Sequence, residues 1–553
     1  MECLLNLIHT RTHGDYIMPL IKLKAQIQNN LLLIILFVIV SLIEIFAIFP
    51  LMFSNSLNYD STYQYALIQH SFSEIWRLIP YDYSPPFYAI ALKVFVVIFG
   101  NSLIVMRCFS IIAVIGMYFI AAFPVKRIFG RNSAIAALLI TFFSPPIFYQ
   151  IHEIRPTIFA MFFFMATAVY MLYAYSLEKT HAYVCTVIFS ILAMYTHNIA
   201  LVGVFGSYVA VLVFSLCTRN YKKFKKFFIC GILCALAYIP WLTVLFGQMS
   251  NVKKHYWKSV FGTRAALGWI FHDMLIEKGY ITIFEFVFPV LIFFALLRHV
   301  KLKAIKGATK FSEVFTLAAE KRVYRDIFLL LLFILIPVMI LAFVNNFFSS
   351  IASERYYYIL GTVWLILAGV IIGCFGNKIL SLLVLLTMCA NLIYMAIYTV
   401  RDLKESDIDQ IVTDINDQNP GGNIAFLHLH ELTLGEMTYF FPNATHYVCD
   451  QTFTVLSTYD VFPSNIVNIG DISNISKYTD NVYLFTDEYS TVSDIPVYTF
   501  EELLSNDENV TVEKLHKYKS AYNVATKQMD LAIAHFNKGQ NIKSTNSKGQ
   551  NNQ

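Results

Sequence analysis

The sequence predicts a polytopic α-helical membrane protein that ends in a small α/β domain, and three observations carry the prediction. Of 553 residues, 57% are hydrophobic, 16% aromatic and only 14% charged, against roughly 45–50% apolar and about 25% charged in soluble domains. That composition excludes a soluble globular protein. Charge then divides near residue 401: 32 Lys/Arg face 15 Asp/Glu up to that point, and 9 face 21 beyond it. A basic part thus meets lipid, and an acidic part long enough to bury its own core meets water. Finally, span-length apolar runs fill the first part, and short alternating segments fill the second.

A transmembrane helix needs about 20 predominantly apolar residues. Runs near 31–53, 104–124, 133–149, 157–177, 199–217, 227–246, 280–297, 327–348, 356–375 and 379–399 meet that need. A shorter run at 182–195 joins the next one through His197 and Asn198. Together they are too long for one crossing at 1.5 Å per residue, so a tight hairpin is predicted and the count becomes about 11 spans. With this count the positive-inside rule holds, with 21 Lys/Arg inside and 11 outside. The 14-residue run Pro86–Phe99 would invert every later loop if it crossed, so it is placed as a helix on the outer face. The N-terminus is then inside and the acidic tail outside. No cleavable signal peptide is evident, and Met18 is an alternative start.

The expected organisation is a cytoplasmic segment 1–30, a transmembrane domain 31–401 with a large first outer loop 54–103, an extracytoplasmic α/β domain 402–536 and a disordered tail 537–553. In the α/β domain, helices are predicted near 405–417 and 431–440, with strands at 423–428, 445–449, 481–486 and 496–499. The Asn/Gln/Lys/Ser/Gly composition after Asn537 predicts the disorder. The 9 cysteines show no disulfide framework or zinc-ligand spacing. There is no internal repeat, Walker loop or Rossmann glycine pattern, so no nucleotide-driven step is expected on this chain. Nor is nucleic acid expected as a partner.

Polar chemistry collects in the outer turns: Asp60 and Asp82 in the first loop, His152, Glu153 and Arg155 in a short turn, His197 in the hairpin, and Arg355 before a late span. Acids and phosphate-suited groups on one side fit a sugar linked through a phosphodiester to a lipid. The phosphate gains negative charge as the glycosidic bond breaks, so guanidinium forks grip it more tightly in the transition state. The acceptor hydroxyl needs a base, and one carboxylate suffices because a phosphate leaving group requires little protonation. Asp60 is the candidate base, and it equally suits the N-cap of a helix beginning near Thr62. Arg155 and Arg355 also suit headgroup-level anchors, Glu153 a partner for Arg155, and His197 an ordinary polar turn.

The order of these motifs resembles the GT-C membrane glycosyltransferases, in the branch of protein O-mannosyltransferases and the lipid A aminoarabinose transferase. NYDSTYQYAL resembles the family's Asp-Glu loop, with Asp60 at the Asp position and Ser61 in place of the second acid. YDYSPPFYAIALKVFVVIFGNSLIVMR resembles Asp-x-His-Pro-Pro-Leu-Tyr-Tyr with a later Phe-Gly and Arg, carried by Asp82, Pro85, Pro86, Phe99, Gly100 and Arg107, with Ser84 replacing His. KRIFGRNSAIAALLITFFSPPIFYQIHEIRPTIFA resembles the Arg-Arg-Leu-Phe-Gly-Arg turn, span and outer Glu-x-Arg turn, with Thr157 replacing the usual Tyr. YTHNIALV and SERYYYIL resemble the Tyr-Thr-His hairpin and late Arg-Tyr.

The resemblance implies a GT-C fold and transfer of a sugar from a polyprenyl-phosphate donor to a hydroxyl acceptor at the outer face of the cell membrane, with inversion. It makes Asp60 the base or acceptor-binding acid, working alone or with Asp82 or Glu153, and makes Arg355 a contact to the donor phosphate. Arg155, His152 and His197 join Arg355 as phosphate-binding candidates. A divalent metal is possible but has no support in the residues, and no cofactor is assigned. A transporter or lipid-linked-sugar flippase is the competing reading, although the polar residues gather at one face rather than around a midplane site.

Overall fold

The computed structural model describes residues 30–255 apart from 56, 58, 82 and 83; 267–275, 322–347 and 354–375; scattered positions within 381–397; and, in the C-terminal part, 407–418, 424–428, 431–449, 460–487 apart from 463, 510–520 and 527–536. They group into two compact units, one within Met1–Phe53, Tyr83–Val252 and Lys258–Thr399, the other within Ser54–Asp82, Lys253–Trp257 and Val400–Gln553.

The first unit is a helical bundle. It begins with α1 (Asn30–Met52). After the loop that carries α2 (Tyr59–Gln69) and α3 (Phe72–Leu78), the bundle resumes with α4 (Phe87–Phe99), α5 (Leu103–Phe129), α6 (Arg131–Phe142), α7 (Pro145–Gln150), α8 (Pro156–Leu177), α9 (Thr180–Thr196), α10 (Asn198–Cys217), α11 (Tyr221–His255), α12 (Arg322–Phe347) and α13 (Glu354–Phe375). Seven of the described helices are long and apolar enough to cross a membrane: α1, α5, α8, α10, α11, α12 and α13. The chain is a multi-span membrane protein.

Seven expected spans recur as span-length helices, α5 and α11 running past their predicted bounds, whereas the run 182–195 is the 17-residue α9, shorter than a span. The run 133–149 is two helices, α6 and α7, because Pro145 and Pro146 cannot continue α6 and instead open the next helix behind an extended Ser144. The hairpin at His197 is present: α9 ends at Thr196, and His197 is extended and caps α10. The 13 residues of α4 reach about 20 Å, short of a hydrocarbon core of about 30 Å. The expected span at 280–297 and the disorder after 537 lie outside the described residues, and only scattered positions of 379–399 lie inside them.

The innermost helix is α8, packed against α4, α5, α7, α9, α10, α12 and α13. Small residues set the closest crossing, between α6 and α13. A Cβ on Gly369 would overlap the Ala137 backbone, and one on Gly373 would overlap that of Ser133. Both helices thus present small residues four apart, the pattern that lets backbones approach where lipid gives no hydrophobic drive for association. A π-helical turn, Trp269–Asp273, is tied in by the Trp364 indole donating to the Phe271 carbonyl at 3.2 Å.

The second unit contains a six-stranded sheet: β1 (Ala425–His428), β2 (Thr445–Val448), β3 (Asn465–Asn468), β4 (Asn481–Asp487), β5 (Val510–Ser520) and β6 (Lys527–Phe536), in the order β3-β2-β1-β4-β6-β5. The first four strands are parallel, and β6 joins β4 and β5 antiparallel. Alternating side chains divide between two cores. Phe426 and Tyr483 face Ile408, Ile411 and Ile415 of α14 (Ile408–Gln418) and Met437 of α15 (Glu431–Phe440), and Leu427, Val482 and Leu484 form the other core with Tyr447, Ile469 and Ile475. The helices at 405–417 and 431–440 and three of the four predicted strands are found; 496–499 lies outside the described residues, and β3, β5 and β6 have no counterpart among the expected strands. The segment Ser54–Asp82, expected to group with the transmembrane domain, clusters instead with this sheet.

Candidate functional site

At the bundle end where α5 and α8 begin, one buried arginine organises the chain. Arg107, 1% exposed on the first turns of α5, donates from Nη1 to the Met52 carbonyl at 3.0 Å and from Nε to the His152 carbonyl at 3.2 Å. Ser110 Oγ, on the same helix, donates to the Glu153 carbonyl at 3.1 Å. Two of these bonds satisfy carbonyls of the turn Ile151–Arg155, whose Ile151 and Ile154 are fully buried, and the third, to Met52, ties the end of α1 to α5. The turn is therefore a fixed platform, because each buried backbone group left unpaired would carry a desolvation penalty.

The platform presents Glu153 and Arg155. Glu153 Oε2 accepts from Gln150 Nε2 at 3.1 Å and lies 3.6 Å from Arg155 Nε. Arg155 is extended (φ −143°) because Pro156 follows it at the first position of α8. Its side chain is 6% exposed, while that of Glu153 is 20% exposed. The carboxylate therefore has the freer access to solvent.

His197 approaches from the α9–α10 turn. Its Nδ1 accepts the Ile199 N–H at 3.1 Å, which leaves the proton of the neutral ring on Nε2. Burial, with the Arg355 and Arg155 charges adding, holds its pKa down at about 3. The ring lies 5.1 Å from that of Tyr356, and the Arg355 guanidinium 5.5 Å from the same Tyr356 ring. Arg155, His197, Arg355 and Tyr356 are thus brought together from α8, α10 and α13. His152 is likewise held neutral, at about 4, by burial and then by the Arg107 charge. Neither histidine is a cation at neutral pH; His197 offers a single N–H.

Asp60 is half-buried in the second unit, and α2 begins at Tyr59, so it occupies the first turn of that helix rather than the expected cap. A carboxylate there is favoured by the helix dipole. Asp82 lies outside the described residues. Among the described residues, no three His, Cys, Asp or Glu side chains gather as a metal site. Sequence reading assigns no role to Arg107, Ser110, Gln150 or Tyr356. Arg107 stands in a motif, and Tyr356 is the Tyr of the late Arg-Tyr; Ser110 and Gln150 give no signal, because only the folded turn shows their use.

This bundle, with its polar turns gathered at one end and an α/β module in the chain's last part, has the fold of GT-C glycosyltransferases. The family model for dolichyl-phosphate-mannose-protein mannosyltransferase matches residues 83–244. The chain is similar in structure to ArnT from Cupriavidus metallidurans in the apo state, with TM-score 0.59 and 14% identity over 90% of this chain and 97% of that one. It is similar to ArnT from the same organism bound to undecaprenyl phosphate, with TM-score 0.56 and 13% identity over the same shares. Archaeoglobus fulgidus oligosaccharyltransferase, tethered by a disulfide bond to an acceptor peptide containing the NVT sequon, is similar with TM-score 0.50 and 12% identity over 84% of this chain and 70% of that one. No curated protein sequence matches the chain.

Proposed function

We propose that the chain is a membrane glycosyltransferase that moves a hexosyl or pentosyl group from a polyprenyl-phosphate carrier to a hydroxyl acceptor on a glycan, glycolipid or protein. The observation that carries this reading is the convergence of Arg155, Arg355 and neutral His197 at one bundle end, in a fold shared with a protein solved with undecaprenyl phosphate. Two guanidiniums and an N–H suit a phosphate. Their hold strengthens as charge accumulates on it, which lowers the barrier to bond breaking.

In the proposed reaction Asp60 takes the acceptor proton as the acceptor oxygen bonds to the anomeric carbon. The bond from that carbon to the phosphate oxygen breaks, and its electron pair leaves with polyprenyl phosphate. Attack opposite the leaving group inverts the anomeric centre. Glu153 sets the Arg155 guanidinium, and Asp82 is a further acid of the first loop. The reading places this end of the bundle and the α/β domain outside the plasma membrane and the N-terminus inside. No step is assigned to a metal.

The test is Asp60→Asn in purified protein incubated with polyprenyl-phosphate sugars, with released polyprenyl phosphate measured. Transfer is expected to fall at least about 100-fold, the low end of general-base contributions, with unchanged thermal unfolding. Wild-type rates in Asp60→Asn would remove the assignment of the base. Lipid movement without cleavage by the wild-type protein would replace the transferase reading with a transporter.

A further inference from the structure

We infer that the C-terminal α/β module is the positioning scaffold of the helix that carries Asp60, with Gly435 on α15 as the residue that admits that helix. The inference rests on the reading of Asp60 as the base. It begins from a weakness of α2. Eleven residues are too few for a helix to persist alone in water, so α2 holds its shape only by burying a face. Tyr63, Ala66, Leu67 and Ile68 are that face.

The far end of the chain meets this helix at several points. On one side Tyr439 of α15 meets Tyr65 edge-to-face at 4.8 Å. On another, Phe462 lies 6.2 Å from Tyr59 and 6.1 Å from Tyr63, while His70 Nε2 lies 2.7 Å from the Val461 carbonyl. Just before α2, Asn55 Nδ2 donates to Asp409 Oδ1 at 2.8 Å. Asp60 thus stands in the first turn of a helix gripped along its length by residues of the C-terminal module.

Gly435 sets how closely the grip can close. It occupies the middle of α15, where glycine is the poorest ordinary helix former. A Cβ there would overlap Thr62 Oγ1 and lie 3.1 Å from Tyr59 Cδ2 and 3.3 Å from Thr62 Cβ. The hydroxyl cannot simply swing away, because it donates to the Tyr59 carbonyl at 2.8 Å. Tyr59 and Thr62 flank Asp60, so the atoms displaced by a side chain at 435 belong to the turn that aims the carboxylate.

The experiment pairs a break with its repair in the full-length protein. Gly435→Ala improves the helix propensity of α15, so any loss it causes comes from contact with α2. Amide exchange of residues 59–69 is expected to quicken about tenfold as that segment opens locally. The kcat for transfer should fall by up to about 100-fold, the scale set by small misplacements of reacting groups, with KM for the lipid donor within twofold. Adding Thr62→Ala, which removes the overlapped hydroxyl, should restore both slow exchange and most of kcat. Should Gly435→Ala fail to accumulate, Phe462→Ala loosens the opposite side and should give the same paired signature. Wild-type exchange and kcat in Gly435→Ala, a change in one without the other, or no recovery on adding Thr62→Ala would each overturn the scaffold role. If the wild-type protein transfers no sugar, the transferase reading fails by that result, and exchange alone still decides whether Gly435 seats α2.

Discussion

The two ends of the helical bundle carry similar residues and use them differently. At the end where α8 finishes, Lys223 Nζ donates to the Tyr175 carbonyl at 2.6 Å and lies 3.8 Å from Glu178, while Lys226 is 3.1 Å from Glu178. Arg325 reaches Asp326 at 2.7 Å and Arg322 reaches it at 3.6 Å, and these two arginines also donate to Ser176 Oγ and the Ile128 carbonyl. Cations there are tied to acids and carbonyls of neighbouring helices, which locks the helix ends. At the other end Arg155 lies 3.6 Å from Glu153, and burial, with the Arg355 and Arg155 charges adding, holds His197 neutral. The first arrangement joins helix ends through buried and half-buried ion pairs, and the second sets two guanidiniums, one of them beside Glu153, around a single neutral ring.

The largest effect that would break this contrast is on stability at the locking end. Asp326 is 1% exposed and holds two arginines. Asp326→Asn removes the buried charge that both reach, and because the Arg322 and Arg325 side chains are 44% and 19% exposed, water takes up part of the loss and leaves about 1.5–3 kcal/mol, the worth of hydrogen bonds to a charged group. Thermal unfolding in detergent should show that loss, with KM for the lipid donor unchanged. A large change in KM with unchanged unfolding would reverse the roles of the two ends.

At the other end the expected loss is in chemistry. Arg155→Met and Arg355→Met should each lower kcat/KM by about 100- to 1000-fold, the range for removing one donor from a developing anion. Unfolding should move less than in Asp326→Asn. An equal loss of stability in all three variants would make both ends structural.

The contrast is partly legible in the amino-acid sequence. Arg155, His197 and Arg355 stand out because each interrupts a long apolar run, and their shared side follows from span count and loop charge. Their convergence does not follow, because it depends on how α8, α10 and α13 cross. That crossing is set in part by small residues such as Gly369 and Ala137, which look like any others in an apolar run. Pro145 and Pro146 are plain to see, yet the apolar length around them favours one span over two helices. In the α/β module, β1, β2 and β4 announce themselves by hydrophobicity. The strand β5, VTVEKLHKYKS, is too polar to do so, and it is defined by pairing with β6. That residues 54–82 group with this module is hidden by the sequence distance between partners such as Tyr65 and Tyr439.

A pH series sharpens the assignment of His197 as a neutral group. Its folded pKa, about 3, lies below the usual value of 6.5. The unfolded chain therefore binds a proton that the folded chain refuses, so stability is full above pH 6.5 and falls as pH drops toward 3. From pH 7 to pH 5 the loss from this one ring is about 2 kcal/mol, at 1.36 kcal/mol per pKa unit. The fall in stability over that interval should be smaller by this amount in His197→Gln than in the wild-type protein. Equal falls would mean that His197 titrates normally and carries charge in the folded protein.

The smallest effect tests whether the locking network depends on its exposed member. The Glu178 side chain is 38% exposed and its partner Lys226 37% exposed, so water screens the pair, and such pairs contribute about 0–1 kcal/mol. Lys223 also donates to the Tyr175 carbonyl and stands 4.2 Å from the Tyr175 ring centroid, and neither contact involves Glu178. Glu178→Ala should therefore cost no more than about 1 kcal/mol in thermal unfolding, and raising salt should shrink even that difference. A cost near that of Asp326→Asn would mean that Glu178 governs the burial of Lys223. The network would then be one cooperative unit, with its exposed acid as important as its buried one.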